Sequence, residues 1–296
     1  MPDRGIPLRS RVAAALVHAT PDWSASLASK LMGAAARVPL PPGVGRVAIQ
    51  AYARYFDVNL RDVDPMQLEE GFATFDEFFT RPLRRGARSI DRSAACVVSP
   101  CDGYLRESAR IEAGTEVVAK GHAFSIGELV ADGALARRFV GGLATTIYLH
   151  PRDYHRVHVP CDALGHRVTL VPGRLLPVTE ASAARDPRLF AVNERMIHVL
   201  ETGFGPMAVV MVAAFGVGHM TCSYQGLAAH PRELQIRDFD TPVRLRKGDE
   251  LGIFHLGSTV IVLCAEGLRL EGEVDRAVRL GEAILVESPS PTGGVA

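Results

Sequence analysis

Three kinds of polar group fall at turns beside apolar runs, where a scaffold presents side chains. Asp102 lies in Ser99-Pro100-Cys101-Asp102-Gly103, just before the run that starts at Gly103. His155 and His158 lie in Pro151-Arg152-Asp153-Tyr154-His155-Arg156-Val157-His158, after an apolar run ending at Leu149. Ser258 follows Gly257 in Phe254-His255-Leu256-Gly257-Ser258-Thr259 and leads into Val260-Ile261-Val262-Leu263. A serine with an accessible hydroxyl, a histidine to take its proton and an aspartate to orient that histidine form a nucleophilic triad, here in the order Asp102, His158, Ser258. Each group also has a bland reading. Asp-Gly and Gly-Ser-Thr are ordinary turn chemistry, and His155 serves equally as a turn histidine. The His-x-x-His spacing invites zinc, but no third ligand motif such as Glu-x-x-His or a Cys pair accompanies it, so no metal is expected.

The elements that must position these groups follow from composition and periodicity. The chain has 296 residues, 47% hydrophobic, with 33 basic against 33 acidic side chains. That balance excludes a disordered or low-complexity chain, and the absence of net basic charge gives no footprint for nucleic acid. The longest apolar stretch, Met207 to Val217, is too short to cross a bilayer, so any membrane contact must be peripheral. Five cysteines without a Cys-x-x-Cys pair read as reduced thiols, and the short apolar core Val12 to Val17 is not expected to act as a signal peptide.

Charge is uneven along the chain. Residues 1–56 carry Arg4, Arg9, Arg11, Lys30, Arg37, Arg46 and Arg54 against only Asp3 and Asp22. Leu8, Val12 and Leu16, then Leu27, Leu31, Ala35 and Val38, recur at helical spacing, predicting two amphipathic helices interrupted at Pro21 and ended by Pro39-Leu40-Pro41-Pro42. Such helices either cover the protein's own core or lie in an anionic lipid surface. Thr74-Phe75-Asp76-Glu77-Phe78-Phe79 predicts a short capped helix closed by Arg81-Pro82. Beyond it, strand-type runs are expected at 103–111, 144–149, 163–171, 196–201, 207–217, 243–245 and 259–265, with one helical interlude over 125–140. Strands joined by short turns rather than by helices predict an α+β fold: N-terminal amphipathic helices followed by an antiparallel-rich β core. The boundaries expected are a helical segment at 1–60, which the resemblance described next implies to be membrane-associating, a core at 61–287, which it implies to be catalytic, and a disordered tail at 288–296.

Taken together the motifs resemble one family, the bacterial, membrane-associated, pyruvoyl-dependent phosphatidylserine decarboxylases. The resemblance rests on Thr74 to Leu83, Lys120-Gly121-His122-Ala123-Phe124-Ser125, Pro151 to His158, Leu189 to Arg195, Phe204-Gly205-Pro206-Met207 and Leu256-Gly257-Ser258-Thr259, in that order. It implies a proenzyme that cuts itself between Gly257 and Ser258 into a large chain, 1–257, and a small chain, 258–296. In that scheme Asp102 orients His158, His158 deprotonates Ser258, and Ser258 becomes a covalent pyruvoyl group that forms a Schiff base with phosphatidylserine, giving phosphatidylethanolamine and carbon dioxide. His155 is implied to assist decarboxylation; no role is carried over to His122, His150 or His255. The resemblance further implies a homodimer of the processed pair, placed peripherally on the cytoplasmic face of the cell membrane against anionic phosphatidylserine. Two alternatives stay open: a Ser-His-Asp hydrolase that keeps Ser258 intact, weakened by the lack of a Gly-x-Ser-x-Gly elbow, and a non-catalytic membrane adaptor, weakened by the presence of all five site residues.

Overall fold

The computed structural model describes residues 22–119, 122–178, 182, 186, 188–216, 218–227 and 229–289. The predicted stripe Leu8-Val12-Leu16 and nearly all of the predicted tail lie outside them. Among the described residues four α-helices come first: α1 (Asp22–Ala36), α2 (Pro42–Phe56), α3 (Pro65–Glu70) and α4 (Phe75–Phe79). Proline at its first turn fits α2, and Asp57 in the left-handed region ends it. The short α4 forms because Thr74 accepts from the Glu77 amide at 3.0 Å while the Glu77 carboxylate accepts from the Ala73 amide at 2.7 Å. This is the reciprocal cap that the sequence predicted.

The remainder is β-rich. In chain order the strands are β1 (Cys96–Val98), β2 (Gly103–Arg110), β3 (Glu116–Ala119), β4 (His122–Ser125), β5 (Leu143–Leu149), β6 (Arg156–His158), β7 (Ala163–Val171) and β8 (Arg195–Thr202). They continue as β9 (Gly205–Ala213), β10 (His219–Cys222), β11 (Gln235–Leu245), β12 (Glu250–His255), β13 (Ser258–Cys264), β14 (Leu268–Leu270), β15 (Arg276–Val278) and β16 (Ala283–Glu287). Eight of them form one antiparallel sheet in the order β11-β7-β8-β9-β13-β5-β2-β15. Two three-stranded sheets, β10-β12-β6 and β1-β16-β14, and the β3-β4 hairpin complete the sheets.

Alternation along β13 explains its place in the middle of the large sheet. Val260 and Val262 enter one buried cluster with Leu149, Met211 and Phe254, while Ile261 and Leu263 enter the other with Val210, Ile126 and Leu129. A strand of β-branched residues apolar on both faces is stable only with layers on both sides. The helical interlude is two helices, α5 (Ile126–Val130) and α6 (Gly133–Arg137), because Ala131 turns left-handed and Asp132 caps the second. The expected 207–217 strand stops at Ala213, where the chain leaves the sheet toward a positive-φ turn at Gly216. The expected strand at 243–245 is the end of the longer β11, bulged between Asp238 and Val243.

Of the two arrangements open to the N-terminal helices, α1 adopts the one with its apolar stripe turned outward. The face of α1 turned to the protein carries Ser29, Gly33 and Ala36, not the predicted stripe. Gly33 lies backbone to backbone against Gly218, and the Ser29 hydroxyl accepts from the Gly216 amide at 3.0 Å. Leu27, Leu31, Ala35 and Val38 all face outward. Among the described residues no helix is long and apolar enough to cross a membrane.

Candidate active site

Ser258 opens β13 and is paired on both sides, opposite Leu149 of β5 and Ala213 of β9. It is 1% exposed, and its Oγ has no hydrogen-bond partner among the described residues. An unpartnered buried hydroxyl is costly, and such exceptions ask for an explanation in chemistry. The two residues before it are both left-handed, Leu256 at φ 82° and Gly257 at φ 38°.

The two histidines of the His-x-x-His motif turn to different partners. His155 is fully buried, with its ring centroid 4.1 Å from that of Phe79 of α4. Its Nδ1 donates to the Asp153 carbonyl at 2.9 Å, which leaves Nε2 as an unprotonated acceptor, and that nitrogen has no partner. Burial drives its pKa down to about 3, so the ring is neutral at physiological pH. His158, on β6, donates from Nδ1 to the Gly248 carbonyl at 2.9 Å, and its Nε2 accepts from the Tyr154 hydroxyl at 3.1 Å. Its pKa is likewise lowered, chiefly by burial.

Asp102 sits beside β6, since the His158 amide donates to the Pro100 carbonyl at 2.7 Å. The expected hydrogen bond from His158 to Asp102 is not the one observed. The carboxylate instead accepts from Arg88 Nε at 2.8 Å, from Arg88 Nη2, and from the Leu280 amide at 2.9 Å. Arg88 also reaches Asp62 at 2.9 Å, and these carboxylates hold its guanidinium above its ordinary range. Burial dominates the lowered pKa of His158; the Gly248 hydrogen bond and the charge of Glu250 oppose it most, and the more weakly felt Asp102 carboxylate acts in the same direction.

Asp102, Arg81, Arg88, Arg106, Arg152 and Tyr154 line a cavity of about 420 Å³. Ser258 is not part of its wall. Arg81 is buried and donates to the Phe78 carbonyl, whereas the ion pairs of Arg106 with Asp275 and of Arg152 with Asp153 are long, 3.8 and 3.9 Å.

Several residues that organise this region carry no spacing signal. Arg88 and Gly248 meet the site only through the fold. Asn193, fully buried, donates to the carbonyls of Leu176 and Ala213 and accepts from the Leu176 amide, so it fixes the strand end opposite Ser258. His255 pairs with Asp76 of α4; the capped helix was legible, its partner was not. No side-chain statement is made for His122, which falls outside those described.

Comparison with known proteins agrees with the motif reading. The profile of the phosphatidylserine decarboxylase family matches residues 75–286. A phosphatidylserine decarboxylase proenzyme of Anaeromyxobacter sp. (strain K) is 41% identical over 279 residues, covering 90% of this chain and 94% of the relative. One from Yersinia enterocolitica serotype O:8 is 40% identical over 255 residues, covering 82% and 87%. A match over most of the chain, with the Gly257-Ser258 turn set into the central strand, places this protein in the phosphatidylserine decarboxylase family.

Proposed function

We propose that this chain cuts itself between Gly257 and Ser258 and then decarboxylates phosphatidylserine to phosphatidylethanolamine at the membrane surface. The observation that carries the reading is Ser258 itself, a buried hydroxyl without a partner directly after two left-handed residues. His158 in its present tautomer offers Nε2 as the base, with the Asp102 charge favouring its protonated form. Oγ attacks the Gly257 carbonyl carbon, the amide becomes an ester, and loss of the Ser258 Cα proton expels the Gly257 carboxylate. The resulting dehydroalanine tautomerises to an imine, and its hydrolysis releases ammonia and leaves a pyruvoyl group at residue 258.

The surroundings suit such a group. Residue 258 stays paired with β5 and β9 after the cut, and the neutral His155 has no competing partner on Nε2 among the described residues. A ketone there supplies an electrophile for the substrate amine and an electron sink for the breaking carbon–carboxylate bond. His155 is suited to hold or return a proton at the substrate carbon, because its ring is neutral and its tautomer is fixed. Arg106 and Arg152 at the cavity suit the phosphodiester of a lipid headgroup.

Leu27, Leu31 and Met32 of α1, Val38 just beyond it, and Val44 and Val47 of α2 are all exposed. A row of apolar side chains on helices flanked by Arg37 and Arg46 fits a lipid interface. The same helices cover the core through Ser29 and Gly33, so lid and membrane anchor coincide. The hydrolase alternative lacks a Gly-x-Ser-x-Gly elbow, since Ser258 stands in Leu256-Gly257-Ser258-Thr259-Val260.

One observation favours a second assignment of the base. His155 Nε2 and Ser258 Oγ are both buried and unpartnered, a complementary acceptor and donor. Comparing His155→Ala with His158→Ala separates the roles. The proposal expects His158→Ala to remain whole, and His155→Ala to split while forming no phosphatidylethanolamine from phosphatidylserine micelles. A His155→Ala chain that stays whole beside a splitting His158→Ala would reverse the two assignments.

A further inference from the structure

The scissile turn is held from both ends. On one side Ser258 is locked into the large sheet by two strand neighbours. On the other, His255 ends β12 with its ring stacked on His219 of β10, centroids 3.8 Å apart and planes 13° off parallel. Its carbonyl accepts from the Gly218 amide at 2.5 Å. Its Nδ1 donates to both carboxylate oxygens of Asp76 at 2.9 Å. Only Leu256 and Gly257 remain to cross from the small sheet to the large one, and both do so in the left-handed region. For a branched side chain such as Leu256 that conformation is an outlier, and it persists only when the surroundings impose it.

We propose that Asp76 and His255 are positioning residues for self-cleavage, a side-chain clamp that holds the scissile turn in a strained conformation which the acyl shift relaxes. The inference rests on the self-cleavage reading above. During the shift the Ser258 Oγ–C bond forms as the Gly257 C–N bond breaks, and the hydroxyl proton ends on the Ser258 nitrogen. The link from the Gly257 carbonyl carbon to the Ser258 Cα then runs through Oγ and Cβ instead of through nitrogen alone. One added atom and the loss of a planar amide let the bridge lengthen between its two fixed ends. The clamp extends outward through α4, which carries Asp76, and through Gly216 and Gly218, which α1 meets by Ser29 and Gly33.

Processing followed by intact mass in a cell-free synthesis time course tests this. His255→Ala and Asp76→Ala are expected to slow cleavage, and His255→Asn, which keeps a donor toward Asp76, to recover most of the lost rate. Leu256→Gly provides the sharper test because it removes the steric cost without removing a partner. It is expected to cut about tenfold more slowly than wild type, equivalent to about 1.4 kcal/mol of barrier. Leu256→Gly cutting at the wild-type rate, or His255→Asn as slow as His255→Ala, would overturn the clamp. A wild-type chain that stays whole would remove the self-cleavage reading itself, a result distinct from either.

Discussion

Replacing Arg88 by Met should expose how much the largely buried Arg88–Asp102 ion pair contributes to the fold. The guanidinium spans Asp102 and Asp62, and the side chains of Arg88 and Asp102 are 9% and 10% exposed. Without Arg88 the Asp102 carboxylate keeps only the Leu280 amide, whereas Asp62 keeps a donor in Asn59. Removing one partner of a largely buried pair costs about 3 kcal/mol, because an uncompensated charge stays behind. For a chain of this size that corresponds to roughly 6 to 12 °C in melting temperature. The assay is urea or thermal unfolding in a Ser258→Ala background, where the chain stays single and one unfolding transition can be analysed. Adding Asp102→Asn should then recover about 1 to 2 kcal/mol, since no stranded charge remains. Arg88→Met within experimental error of its parent, or Asp102→Asn making it less stable still, would refute the reasoning.

Other outcomes follow from the same contacts. His155 and His198 are held near pKa 3 by burial, against an ordinary 6.5, so the unfolded chain binds protons that the folded one refuses. Stability is therefore complete above about pH 6.5 and falls toward pH 3, by about 1.4 kcal/mol per pH unit for each histidine. Urea midpoints of the Ser258→Ala chain should show that slope, and His198→Gln should flatten it. Asn193→Ala loses three buried hydrogen bonds beside the Ser258 partner strand, with an expected cost of about 3 kcal/mol and slower processing, both measurable on the purified chain. Leu31→Ser with Val47→Ser, at positions 61% and 67% exposed, should weaken sedimentation with anionic vesicles by at least about tenfold while leaving cleavage intact.

Much of this architecture was legible because its determinants are local. The Thr74/Glu77 cap and the two-faced apolar run of β13 announce themselves within a few residues, and so does the antiparallel order implied by short turns. The direction of α1 was not, because periodicity gives a face but not its partner. Here small residues, Ser29 and Gly33, let the backbone approach Gly216 and Gly218 and leave the leucines outside. At the site, Ser258 and the histidines were marked by their motifs. The Asp102 partners were hidden by sequence separation: Arg88 and Leu280 reach it from either side of the chain. The Asp76–His255 pair spans 179 positions, so no spacing rule could join them.

The central claim is that Ser258 ceases to be a serine. Denaturing intact-mass analysis of the wild-type chain beside Ser258→Ala tests it most directly. The account predicts that wild type divides into residues 1–257 and 258–296, the small chain carrying a ketone at its N-terminus that borohydride reduces, while Ser258→Ala stays whole. A single unmodified chain in both samples would contradict it.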